Sequence, residues 1–193
     1  MKESVRELLA RYEPSTIEAM PDRANAGVLV LLYNHEDVPH VVFQKRTDRV
    51  RDHKGQVSFP GGAEDAGDPD LAWTALRETH EEIGVVPTDV ELLGRLDDMV
   101  TVSNFRVTPY VGWLARYPYP WRFSDEEVAY LLEVPLPHLL DPANFVPDRR
   151  QLNGDWHTLP SFRFKEDLIW GATARMLTNL LDLMPAARAL GGG

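Results

Sequence analysis

Residues 26–34, AGVLVLLYN, are apolar almost without interruption and end in turn formers, and this run constrains the fold more than any other segment. It is too short to cross a membrane as a helix. It reads instead as a buried strand, and a buried strand needs neighbours. VVFQKR (41–46) supplies one, with NHEDVP between them as a hairpin loop. VSFPGG (57–62) is a short strand ending in a Pro-Gly-Gly break. VELLGRLDDMVTV (90–102) and VTPYVGWLA (107–115) are two more strands, joined by a turn containing Ser and Asn. Residues 117–121 form a loop, EEVAYLLEV (126–134) fits a strand or a helix, PLPHLLDP is a single turn, and DWHTLPSFRF (155–164) is a short hairpin.

Three segments change to helical spacing. Residues 2–12 place Val5, Leu8, Leu9 and Tyr12 on one side. Residues 69–83 do the same with Leu71, Ala75, Leu76, Thr79 and Ile83, with Pro69 in the first turn and Gly84 as the stop. Residues 169–184 form the clearest amphipathic helix, lined by Ile169, Ala172, Met176, Leu177, Leu180, Leu181 and Met184. The order of elements predicts an α/β (α+β) fold, a mixed sheet sandwiched between helices. No repeat, low-complexity tract or composition break divides residues 1–193, so a single domain is expected.

Composition narrows the function. With 44% hydrophobic residues the chain can build a core, which argues against disorder. A net charge of −10 argues against nucleic acid as a partner. The absence of cysteine removes disulfides and thiolate metal sites and is compatible with a cytoplasmic location. No signal-like or membrane-spanning run is present, and the terminal LGGG is not a lipidation signal, so no membrane partner is expected. The charge is unevenly placed. Residues 45–54 carry Lys45, Arg46, Arg49, Arg51 and Lys54 against Asp48 and Asp52, while residues 64–98 carry eleven acids against Arg77 and Arg95.

The acidity centres on RETHEEIGV (77–85). On a helix Glu78 and Glu82 share a face, and Glu81 lies beside them. Like charges so placed repel, and a divalent cation would offset that. Oxygen-only ligands favour Mg²⁺ or Mn²⁺. Taken alone, the string is the common pattern of a solvated acidic helix face with an exposed Arg77–Glu81 pair. The preceding Phe59-Pro60-Gly61-Gly62 adds backbone that can approach a metal or phosphate closely.

GGAEDAGDPDLAWTALRETHEEIGV resembles the Nudix box through Gly62, Arg77, Glu78, Glu81, Glu82, Gly84 and Val85. Two positions depart from it. Asp68 stands for the early Glu, one residue further from Arg77 than usual, and Thr79 replaces an aliphatic residue. The longer spacing with Asp is that of the coenzyme A pyrophosphatase subfamily. The upstream signature of that subfamily is matched by Arg46, Arg51, Gly55, Val57, Phe59, Pro60, Gly61 and Gly62, with Thr47 for Ser. IWGATARML is similar to its closing helix.

The resemblance implies a Nudix fold and a metal-dependent enzyme that splits coenzyme A into 3′,5′-ADP and 4′-phosphopantetheine. It implies Glu78 and Glu82 as metal ligands, Glu81 as a further ligand or base, and Arg77 as the group that orients a box carboxylate. Glu127 is the downstream candidate base, ahead of Glu126 and Glu133. Arg46 and Arg51 would contact substrate phosphates, unless they pair with nearby acids; Lys45, Arg49 and Lys54 would face solvent. Gly61 and Gly62 would line the substrate site. Trp73, Trp113, Trp156 and Trp170 read as core or rim packing, and His53 and His80 as surface residues. The rivals are another small-molecule substrate, such as ADP-ribose, NADH or a nucleoside triphosphate, and a non-catalytic Nudix module.

Overall fold

The computed structural model describes residues 1–49, 54–152 and 155–184. Its centre is β1 (Ala24–His35), paired in parallel with β7 (Phe105–Leu114) along one edge. The other edge of β1 is shared. Its second half pairs with β2 (Val38–Arg46), through a two-residue turn at Glu36 and Asp37, both with positive φ as this hairpin type requires. Its first half pairs instead with β4 (Gly61–Ala63). One edge of β2 is taken by β8 (Val128–Pro135). The edge of β2 that faces β1 therefore holds β3 (Val57–Ser58) where the two long strands part. The chain from Val57 to Ala63 fills this wedge. Beyond β7 lies β5 (Val90–Arg95), and the short β6 (Met99–Val100) also pairs with β7.

Both faces of the sheet are covered, which explains the uninterrupted apolarity of β1. Leu29, Leu31, Tyr33 and Val42 pack against Ala75 and Ile83 of α2 (Leu71–Ile83). Val30, Leu32, Val41 and Phe43 pack on the other side with Val5 and Leu9 of α1 (Lys2–Arg11) and Leu177, Leu180 and Leu181 of α4 (Gly171–Asp182). A Cβ on Gly27 would stand 2.2 Å from the Leu71 carbonyl oxygen, so glycine lets α2 lie directly on β1. Between β8 and α4 come α3 (Leu136–Leu140), the hairpin of β9 (Asp148–Leu152) and β10 (Asp155–Leu159), and that of β11 (Phe162–Phe164) and β12 (Asp167–Ile169).

Several expected boundaries move. Residues 90–102 form two strands because Asp97 and Asp98 turn to serve other groups: Asp97 accepts from the Tyr12 hydroxyl and the Ser15 amide, Asp98 from Ile17, Arg95 and Thr108. Residues 155–164 belong to two hairpins rather than one, because β10 folds back on β9 and Phe162 pairs with Ile169. Ile169 thus lies in β12, and α4 begins at Gly171. Residues 126–134 resolve as strand. Helix α2 starts after Asp70, whose carboxylate accepts the Trp73 amide at 2.8 Å, so Pro69 precedes the cap. Among the described residues no helix is long and apolar enough to cross a membrane.

Candidate active site

The carboxylates ride on the second half of α2, which Gly84 ends in the left-handed conformation (φ 76°). Arg77 organises this surface. Its Nε and Nη2 donate to the two oxygens of Asp68 at 3.0 and 2.9 Å, a planar two-point pair. Nη2 also reaches the Ala63 carbonyl at 3.1 Å, and Nη1 donates to Glu78 at 2.8 Å and Glu81 at 3.2 Å. One guanidinium thus ties β4, the loop after it and two box carboxylates together. Asp68 fills its place in spite of the longer spacing, and Arg77, helped by the Asp65 amide and the Thr74 hydroxyl, holds its carboxyl below the usual range. Thr79 fits the apolar side because its buried hydroxyl donates to the Ala75 carbonyl at 2.6 Å.

Glu82 is 3% exposed. The Gly61 amide donates to its Oε2 at 2.9 Å, and Arg46 Nη1 reaches Oε1 at a longer 3.3 Å. These do not compensate for burial, which pushes its carboxyl up to about 7. Glu78 has a side chain 20% exposed. Burial raises it too, against the pull of Arg77, and the charges of Glu81 and Glu127 add to the rise. A Cβ on Gly62 would lie 2.4 Å from the Glu78 carboxyl carbon, so Gly62 is what lets the strand pass that carboxylate. Glu81 is 56% exposed and points toward solvent beyond Arg77.

Downstream, the Glu127 carbonyl accepts the Thr47 amide at 2.8 Å, which fastens the start of β8 beside the end of β2. Its side chain is exposed and near enough to influence Glu78. Glu126 is exposed, and its carbonyl accepts the Thr47 hydroxyl at 2.6 Å. Glu133 is engaged by the Tyr33 hydroxyl. Arg46 lines an open cleft of about 460 Å³ whose charged lining is Lys45, Arg46 and Arg49 against Asp48 and Asp125. Arg51 and His53 lie outside the described residues.

Among the described residues no three His, Asp or Glu side chains form a preassembled metal cluster. Arg77 engages Glu78 and Glu81, while Arg46 and the Gly61 amide engage Glu82. The donor set still fits a hard dication. Every donor is an oxygen, Glu82 is buried with only a long contact to the positive charge of Arg46, and Glu78 is half-buried, so that burial raises both carboxyls. Beside Glu82 lies the fully buried Gln44, paired with Ser58 of β3; among the described residues neither its two amide atoms nor the Ser58 hydroxyl completes a hydrogen bond of full geometry.

Some residues stand elsewhere than expected. Lys45 does not face solvent: its ammonium donates to Asp167 at 2.7 Å, and Asp167 also accepts the Tyr130 hydroxyl at 2.9 Å. Trp113 is in the core, but Trp73 and Trp156 are largely exposed, because Trp73 lies on the outer side of α2 and Trp156 on a hairpin off the main sheet. Arg49, Lys54 and His80 are exposed as expected. Gln44 and Ser58 were not singled out by the sequence reading. Gln44 lies two residues before Arg46 on a strand, and that alternation places both on one face.

The family model described as NUDIX domain matches residues 23–177. A relative from Enterobacter sp. (strain 638), named Uncharacterized Nudix hydrolase NudL, is 35% identical over 177 residues, covering 90% of this chain and 91% of the relative. Its namesake in Salmonella newport (strain SL254) is 32% identical over 180 residues, 92% of this chain and 93% of its own. Among solved structures, a MutT/nudix family protein from Enterococcus faecalis superposes with a TM-score of 0.57 at 16% identity, over 99% of this chain and 80% of that one. The Ap4A hydrolase of C. elegans, in a binary complex, gives 0.50 at 17% identity, over 61% of this chain and 83% of that one. At such identities the structures share a fold.

Proposed function

Since the chain belongs to the Nudix family of hydrolases, enzymes that act on pyrophosphate bonds, we propose that its substrate is coenzyme A or an acyl derivative, split into 3′,5′-ADP and 4′-phosphopantetheine. The observation that carries this reading is the position of Arg46. It comes from the upstream signature, lines the cleft, and touches Glu82 of the box. Signature and box therefore meet in one place, where a diphosphate between them would be gripped from both sides. A single domain over residues 1–193 and a cytoplasmic location belong to the same proposal.

Nudix hydrolases generally use divalent cations such as Mg²⁺ or Mn²⁺. Glu78 and Glu82 would hold such an ion, with Glu81 as a ligand for a second. When bound, the ion neutralises diphosphate charge and lowers the pKa of the attacking water. The protein's own groups do the rest. Gly61 fixes Glu82 through its amide, and Gly62 leaves room for Glu78. Arg77 holds Glu78 and Glu81 in register. Glu81 or Glu127, both exposed, would take a proton from the attacking water. Arg46 and Arg51 would bind phosphate oxygens, a task suited to the guanidinium fork.

The test compares coenzyme A with dephospho-coenzyme A in the wild type and in Arg46→Ala. A kcat/KM preference for coenzyme A that shrinks in the variant supports the reading. Equal use of both compounds, unaffected by the substitution, overturns the phosphate-reading role.

A further inference from the structure

Among the described residues, the Gly61 amide at 2.9 Å gives Glu82 its one short hydrogen bond, and its other oxygen depends on an Arg46 contact of 3.3 Å. The Nε of Arg46 is itself buried and has no partner among the described residues. If Arg46 turns to a substrate phosphate, as proposed above, Oε1 loses even that contact. Strand register shows what stands beside it. Gln44 pairs with Leu131 of β8 on one side and Ser58 of β3 on the other. Val42, two residues earlier, and Leu131 both belong to the cluster under α2. Gln44 therefore projects toward α2, where its amide lies beside the Glu82 carboxylate. It is fully buried, and among the described residues neither amide atom completes a hydrogen bond of full geometry, the contact with Glu82 included. A fully buried amide left in this state destabilises the fold. Such a cost at the rear of a buried carboxylate asks for a function.

We propose that Gln44 is a positioning residue for metal binding: its amide NH₂ steadies the Glu82 carboxylate from behind, so that this ligand stays oriented when Arg46 engages substrate. Glutamine suits the task because it donates without a charge. A cation there would neutralise the carboxylate and compete with the metal, whereas an apolar residue would leave Oε1 unsupported. Ser58, paired with Gln44 across the neighbouring strand, faces the same side of the sheet.

The inference rests on Glu82 being a metal ligand, so the experiment treats the two claims separately. Mn²⁺ binding to substrate-free protein is followed by electron paramagnetic resonance of the free ion, for the wild type, Gln44→Met and Glu82→Gln. Methionine keeps the length and an apolar fit but removes the donor. Gln44→Met should weaken Mn²⁺ binding about tenfold, in the range found when groups that orient metal ligands are removed. Its thermal midpoint should stay at or above that of the wild type, and kcat should fall while KM for coenzyme A changes little. Unchanged Mn²⁺ affinity in Gln44→Met, with Glu82→Gln binding none, overturns the role of Gln44 alone. Unchanged affinity in Glu82→Gln overturns the ligand assignment beneath it. Loss of the fold in Gln44→Met would show that the residue serves the sheet rather than the carboxylate, and would equally contradict the proposal.

Discussion

Glu82 offers a direct test of the energetics of the site, through Glu82→Gln in metal-free protein. Burial moves its carboxyl from an ordinary 4.5 to about 7. At 1.36 kcal/mol per tenfold, keeping this group ionised costs the fold roughly 3 kcal/mol relative to the unfolded chain. The direction follows from linkage. Between about pH 4.5 and 7 the folded protein binds the extra proton. Stability is therefore full below the unfolded value, falls as pH rises through the folded one, and stays low above it. Glutamine has nearly the same shape and no charge. In EDTA at pH 8, Glu82→Gln should be more stable than the wild type by about 3 kcal/mol, which for a chain of this size raises the melting midpoint by roughly 6–12 °C. Near pH 4.5 the two should melt together. Urea or thermal unfolding at both pH values measures this. Added Mn²⁺ should stabilise the wild type and not the variant. A variant less stable than the wild type at pH 8 would refute the reasoning, because the Arg46 and Gly61 contacts would then outweigh burial.

Three further outcomes follow from the same geometry. Gly62→Ala places a Cβ against the Glu78 carboxyl group, so Mn²⁺ affinity should drop tenfold or more while circular dichroism stays unchanged. Arg77→Lys keeps the charge but cannot span Asp68, Ala63, Glu78 and Glu81 at once; kcat should fall about 10- to 100-fold with little change in KM. Asp68 is held below its usual range by Arg77, so the stability it lends is complete above about pH 4 and is lost as pH falls further. Between pH 5 and 3 the urea midpoint should therefore decline more steeply in the wild type than in Asp68→Asn.

What the sequence made legible depended on whether a signal was local. The apolar run at 26–34, the helical spacing from Leu71 to Ile83 and the stop at Gly84 are properties of neighbouring residues, and all appear in the structure. The box carried its chemistry in the same way, since Glu78, Glu81 and Glu82 are adjacent on one helix. Features set by distant partners were not legible. Asp97 and Asp98 interrupt a strand because Tyr12, Ser15 and Ile17 draw on them from the N-terminal segment. Lys45 is withdrawn from solvent by Asp167, 122 residues away. Gln44 is a polar residue in an apolar strand, and its meaning depends on a wedge between β1 and β2 that local periodicity does not show. The arrangement of Asp68 lies between these cases: its identity and spacing pointed to the subfamily, while the two-point pair with Arg77 shows how one extra residue is absorbed.

The central claim is that this site cleaves the diphosphate of coenzyme A. The most direct measurement incubates the protein with coenzyme A and either Mg²⁺ or Mn²⁺, with ADP-ribose in parallel, and identifies the products by mass spectrometry. The account predicts 3′,5′-ADP and 4′-phosphopantetheine in equal amounts, formed only with the metal and abolished in Glu82→Gln. Coenzyme A left intact while ADP-ribose is consumed would contradict it.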